Sequence, residues 1–159
     1  MSRDAPDVIL VEDDQSLRTG AAQALELEGL SVASFADAPS ALQGIAKDYP
    51  GVVVSDVRLP GMDGIEMFDR LRERDRTMQV IFTTAHGDVD MAVQAMKSGA
   101  ADFFTGNATN SSSVGETGAA CAVMARIAAA TIERLCMRAF LGLYLSKPFE
   151  TIKQPLNLN

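Results

Sequence analysis

Two hydrophobic rhythms alternate along the first two thirds of the chain. Short β-branched or apolar runs at residues 8–11, 31–35, 52–54, 79–83 and 101–104 read as strands. Between them, apolar residues recur at helical spacing. Leu17, Ala21, Ala24, Leu25 and Glu28 share one face, and Gly29 is a stop signal after them. A second helical stretch over 38–47 carries Ala41, Leu42 and Ile45 and runs into Pro50-Gly51. A third over 65–74 turns Ile65, Phe68 and Leu71 inward and its charges outward. A fourth, 89–97, carries Val89, Ala92, Val93 and Met96 and ends at Gly99. Strands and helices alternating with short connections predict an α/β domain whose parallel sheet is covered by helices on both faces.

Past residue 105 the rhythm breaks. Residues 106–113 form a polar loop, Gly-Asn-Ala-Thr-Asn-Ser-Ser-Ser. From about 118 to 145 the chain is Ala-rich and favours helix. Val123, Ile127, Thr131 and Leu135 lie on one stripe, and Met124, Ala128, Ile132 and Cys136 on the next. So broad an apolar face is expected to be buried, against this sheet or against another chain; in the second case it is a candidate homodimer surface. Lys147-Pro148-Phe149 then leads into a polar tail. The expected organisation is a core over 1–105, an atypical loop and helix over 106–146, and a closing segment over 147–159.

Composition narrows the function. A net charge of −7 argues against a large phosphate-backbone footprint, so direct nucleic-acid binding is not expected. Two cysteines, Cys121 and Cys136, and one histidine, His86, match no zinc spacing. Residues 119–145 are apolar enough to be tested as a membrane span, but Arg126, Glu133, Arg134 and Arg138 fall inside them. The N-terminal residues lack a signal-peptide pattern. A soluble, cytoplasmic protein without a membrane partner is expected.

In a parallel sheet, ligands bind beyond the carboxyl ends of the strands. Glu12, Asp13 and Asp14 follow the first strand, Asp56 closes the third, and Thr83 and Thr84 close the fourth. Any one of these acids, Asp13 or Asp14 above all, is explained equally well as a helix N-cap. As a converging set they need a cation, because clustered carboxylates repel one another. Magnesium suits them: it prefers oxygen ligands and is commonly held by one or two carboxylates plus phosphate. An Asp carboxylate is also able to form an acyl phosphate.

Three stretches carry a resemblance. They are Val-Ile-Leu-Val-Glu-Asp-Asp (8–14), Val-Val-Ser-Asp-Val-Arg-Leu-Pro-Gly-Met-Asp-Gly (53–64) and Phe-Thr-Thr-Ala (82–85). With the run from Gly87 to Phe103 they resemble the receiver domain of bacterial response regulators. The likeness is greatest to transcriptional regulators of the nitrogen-regulation and C4-dicarboxylate-transport type, over residues 7–105. The resemblance implies a flavodoxin-like, doubly wound, five-stranded parallel sheet of order 2-1-3-4-5. It implies that Asp56 accepts a phosphoryl group from a sensor histidine kinase with Mg2+ and so switches a transcriptional regulator. Glu12, Asp13, Asp56 and the backbone carbonyl of Arg58 would hold the metal. Thr84, Ala85 and Phe103 would form the switch: hydroxyl, small neighbour and rotating aromatic. Such a domain phosphorylates itself and is not a turnover enzyme.

The chain departs from the family after the fifth strand, where a lysine, a proline and an apolar residue are expected. Gly106 follows Thr105, and Lys-Pro-Phe appears only at 147–149. Either residues 106–146 are an insertion and Lys147 returns to the site, or the Ala-rich segment replaces the final helix. A phosphorylation-independent interaction or dimerisation module is the alternative function.

Overall fold

A computed structural model describes residues 5–84 and 89–105. Nine elements alternate: β1 (Val8–Val11), α1 (Gln15–Leu27), β2 (Val32–Phe35), α2 (Ala38–Gly44), β3 (Val52–Asp56), α3 (Gly64–Arg74), β4 (Gln79–Thr84), α4 (Val89–Lys97) and β5 (Asp102–Thr105). The strands form one parallel sheet in the order β2-β1-β3-β4-β5, as the resemblance implied. Ala85, His86, Lys147 and the whole of 106–159, including the loop-and-helix segment expected there, lie outside the described residues.

The uninterrupted apolar runs of the strands follow from burial on both faces. Ile9, Val11, Val53, Val80 and Phe82 point into the larger cluster, with Ala41 of α2 and Met67, Phe68 and Leu71 of α3. Their neighbours Val8, Leu10, Val52, Val54 and Ile81 point the other way, onto Leu25 of α1. Phe68 is fully buried and meets the Phe82 ring edge-on at 5.6 Å. Burial of such a ring stabilises by about 1.5–3 kcal/mol.

Local chemistry sets most boundaries. Asp14, Asp37 and Asp63 are the N-caps of α1, α2 and α3, accepting from the backbone N–H groups of Leu17, Ser40 and Glu66. Gly29 ends α1 at φ +87°, where the amide of Leu30 returns to the carbonyl of Leu25. One expectation needs correction. The second helix ends at Gly44, not at 47, because Gly44 backs onto the Phe35 ring and Ile45 turns extended to bury its side chain. Arg74 of α3 then donates to the freed carbonyls of Leu42 and Ile45. In the fourth helix, Ala95 is fully buried and Met91 packs on the core, whereas Val93 and Met96 are exposed.

Among the described residues, no helix is long and apolar enough to cross a membrane.

Candidate functional site

Three neighbouring strands deliver polar groups to one rim. The central pair, β1 and β3, run side by side in register, Val11 opposite Ser55, so the residues that follow them emerge together. Glu12 and Asp13 come from the turn after β1, and Asp56 is the last residue of β3. Carboxylate oxygens of Glu12, Asp13 and Asp56 all lie within 4.8 Å of one another. Asp14, equal to Asp13 in the sequence, is not part of this cluster. Its Oδ1 accepts from the amide of Leu17 at 2.9 Å, so its carboxylate serves the helix.

The electrostatics record the crowding. Burial and the nearby Asp56 carboxylate push Glu12 up to about 7, against one opposing hydrogen bond from the amide of Asp14. Asp56 is also raised, chiefly by burial. The amides of Arg58 and Val57 pull it down, and the Asp13 charge pushes it up again. Arg58 N–H reaches Asp56 Oδ1 at 3.1 Å, and the Arg58 charge favours the ionised form. Carboxylates held near one another with raised pKa values are the state a bound divalent cation relieves. The all-oxygen donor set and partial exposure fit a hard ion that keeps some of its water.

The rest of the rim fixes this centre. Ser55 is fully buried and its hydroxyl donates to the carbonyl oxygen of Asp56 at 2.8 Å. Gly64 opens α3 directly against the same carbonyl, and a Cβ there would overlap it. The amide of Gly64 donates to Val57 O at 2.9 Å, closing the loop that follows Asp56. Thr84, the last residue of β4, is 3% exposed. Thr83 pairs with Asp56 in the ladder and belongs to the strand. Phe103 lies opposite Phe82 in the β4–β5 register, partly buried, with its ring 6.4 Å from that of Phe82.

Glu12, Asp13 and Asp56 are thus brought together as expected, with Thr84 and Phe103 on the adjoining strands. Ala85 and Lys147 lie outside the described residues. Sequence reasoning missed Ser55 and Gly64 as supports of the site. Only Gly64 carried a signal, as a glycine immediately after the N-cap Asp63.

Comparison with known proteins bears on this geometry. Over 99 residues the chain is 48% identical to the C4-dicarboxylate transport transcriptional regulatory protein DctD of Rhizobium meliloti, covering 62% of this chain and 22% of that protein. Over 96 residues it is 38% identical to the DNA-binding transcriptional regulator NtrC of Escherichia coli, covering 60% of this chain and 20% of the relative. The chain therefore spans about a fifth of the length of these two regulators. The crystal structure of full-length FixJ from B. japonicum superposes with a TM-score of 0.65 at 31% identity, over 86% of this chain and 60% of that one. The family model of the response regulator receiver domain matches residues 8–111, a span that holds the whole described rim and most of the chain, and the protein belongs to that family.

Proposed function

We propose that this receiver domain accepts a phosphoryl group on Asp56 from a phosphohistidine of a sensor kinase, with Mg2+ held by Glu12, Asp13 and Asp56. One observation carries the reading: carboxylates from β1 and β3 meet within 4.8 Å at the carboxyl edge of the sheet, two of them with raised pKa values. An uncompensated cluster of this kind disfavours the close approach of a phosphoryl dianion.

In the transfer, an Asp56 oxygen attacks phosphorus as the P–N bond to the kinase imidazole breaks. The imidazole leaves and takes up a proton, and Asp56 becomes an acyl phosphate. Mg2+ supplies charge neutralisation between carboxylate and phosphoryl oxygens. Asp13 would hold it directly and Glu12 through water, and the backbone carbonyl of Arg58 would supply a further ligand. The amides of Val57 and Arg58 hold Asp56 in place. Afterwards the hydroxyl of Thr84 bonds the phosphoryl group, the small Ala85 leaves room for it, and Phe103 follows the inward movement. A local charge event thereby biases the surface of β4 and β5, which a partner reads. Lys147 is the candidate cation that would complete the site, with residues 106–146 as an insertion between the core and residues 147–159.

The domain turns over no external substrate; it carries a signal and loses its phosphate slowly to water. Regulators of transcription such as DctD and NtrC supply the context, so a cytoplasmic, transcription-regulating role in two-component signalling is part of this proposal. The test is intact-mass analysis after incubation with acetyl phosphate and Mg2+. The wild type should gain one phosphoryl group and Asp56→Asn none. No gain by the wild type overturns the reading in favour of a phosphorylation-independent interaction module.

A further inference from the structure

The turn that carries two of the three clustered carboxylates is held from behind by a cation. Arg18 lies in the first turns of α1, and its Nη1 donates to the carbonyl oxygens of Glu12 at 2.6 Å and of Asp13 at 3.0 Å. Helical side chains lean toward the helix N-terminus, so the fourth residue after the Asp14 cap reaches back over the turn. A helix N-terminus already carries partial positive charge, which disfavours a guanidinium there. Two charge-assisted hydrogen bonds to carbonyl oxygens offset that penalty.

The two carbonyls belong to the same residues whose side chains enter the cluster. Fixing the peptide oxygens of Glu12 and Asp13 restricts the directions in which their Cα–Cβ bonds leave the backbone. Two further groups of the turn are also engaged. The amide of Asp14 donates to Glu12 Oε1 at 3.2 Å, and Asp14 Oδ1 accepts from Leu17. Arg18 thus completes a frame in which the turn stays rigid although its carboxylates repel one another.

We propose that Arg18 is a positioning residue for the metal site: its guanidinium locks the backbone of Glu12 and Asp13 so that their carboxylates face Asp56 before a divalent cation arrives. This inference rests on the magnesium reading above. Two effects oppose each other at this position. The charge of Arg18 repels an incoming cation, whereas the locked turn removes the ordering that the cation would otherwise have to impose. Locking is the larger effect, since groups that orient metal ligands generally change affinity by tenfold or more.

The experiment is calorimetric titration of the full 159-residue chain with MgCl2, for wild type, Arg18→Ala and Arg18→Lys, beside amide hydrogen exchange at Asp13 and Asp14 in EDTA. Arg18→Ala should raise the Kd for Mg2+ roughly tenfold. It should also speed exchange at both amides in the absence of metal, and Arg18→Lys should recover most of the affinity. Acetyl-phosphate labelling of Arg18→Ala should approach the wild-type rate once Mg2+ saturates. A Kd that is unchanged or tighter in Arg18→Ala overturns the proposal, tighter binding being what loss of the charge alone would give. Wild type that binds no Mg2+ overturns the magnesium reading and this inference with it; binding by wild type with equal Kd in the variant overturns this inference alone. Should Arg18→Ala not fold, Arg18→Met, which keeps the apolar stem and removes every donor, is read by the same criterion.

Discussion

Without a divalent cation, the protein should lose stability as the pH rises from about 4.5 to about 7, the interval set by Glu12. In the unfolded chain Glu12 ionises at its ordinary value of 4.5, and in the folded chain only near 7. Between the two, the folded state holds a proton that the unfolded state has released. The resulting stabilisation is fully present below the unfolded value and is lost as the pH passes through the folded one. Taken whole, the difference is worth about 3 kcal/mol at about 1.4 kcal/mol per tenfold change. Glu12 is only partly buried, so solvent screening leaves about 1–2 kcal/mol. Asp56, also raised, adds in the same direction. Asp7, Asp37 and Asp75 act oppositely, but their values lie below the ordinary 3.8, so their contribution is lost only at more acid pH. Urea unfolding followed by far-UV circular dichroism, in EDTA across this range, measures the slope. Glu12→Gln should flatten it and be more stable than wild type at the alkaline end. Millimolar Mg2+ should flatten the wild-type profile as well, by binding the ionised folded state. Parallel profiles for wild type and Glu12→Gln in EDTA would refute the reasoning.

Gly64→Ala forces a Cβ against the carbonyl of Asp56, so it should destabilise by about 1–3 kcal/mol and lower the rate of acetyl-phosphate labelling, read by urea midpoint and intact mass. Asp63→Ala removes the 2.7 Å bond to the amide of Glu66 and should lower stability by about 1 kcal/mol in the same unfolding assay. Phe68→Ala leaves a cavity between α3 and β4 and should lower stability by about 3–5 kcal/mol, shifting the urea midpoint without changing the slope m.

The sequence by itself determined the elements, because strand and helix periods are local and each run is bracketed by its own caps and glycines. The stops at Gly29 and Gly99 needed nothing beyond neighbouring residues. It also determined that acids and hydroxyls end the strands, and Asp56 stood out as the acid at the end of the third. Strand order came through the family resemblance, since hydrophobic period does not say which strand lies beside which. The tertiary structure decided what depends on contact across the chain. Asp13 and Asp14 were indistinguishable until the start of α1 gave Asp14 to the amide of Leu17 and left Asp13 beside Asp56. The end of α2 was decided by the Phe35 ring behind Gly44, and the structure buries Ala95 and leaves Val93 and Met96 exposed on α4, neither of which a periodic stripe encodes. The raised value of Glu12 exists chiefly because folding removes water from its carboxyl and brings Asp56 beside it. Asp56 is distant in sequence from Glu12 and Asp13 and has no reason to repel them until the sheet aligns β1 with β3, which gathers the three carboxylates at one rim, while Asp14 turns away to cap α1.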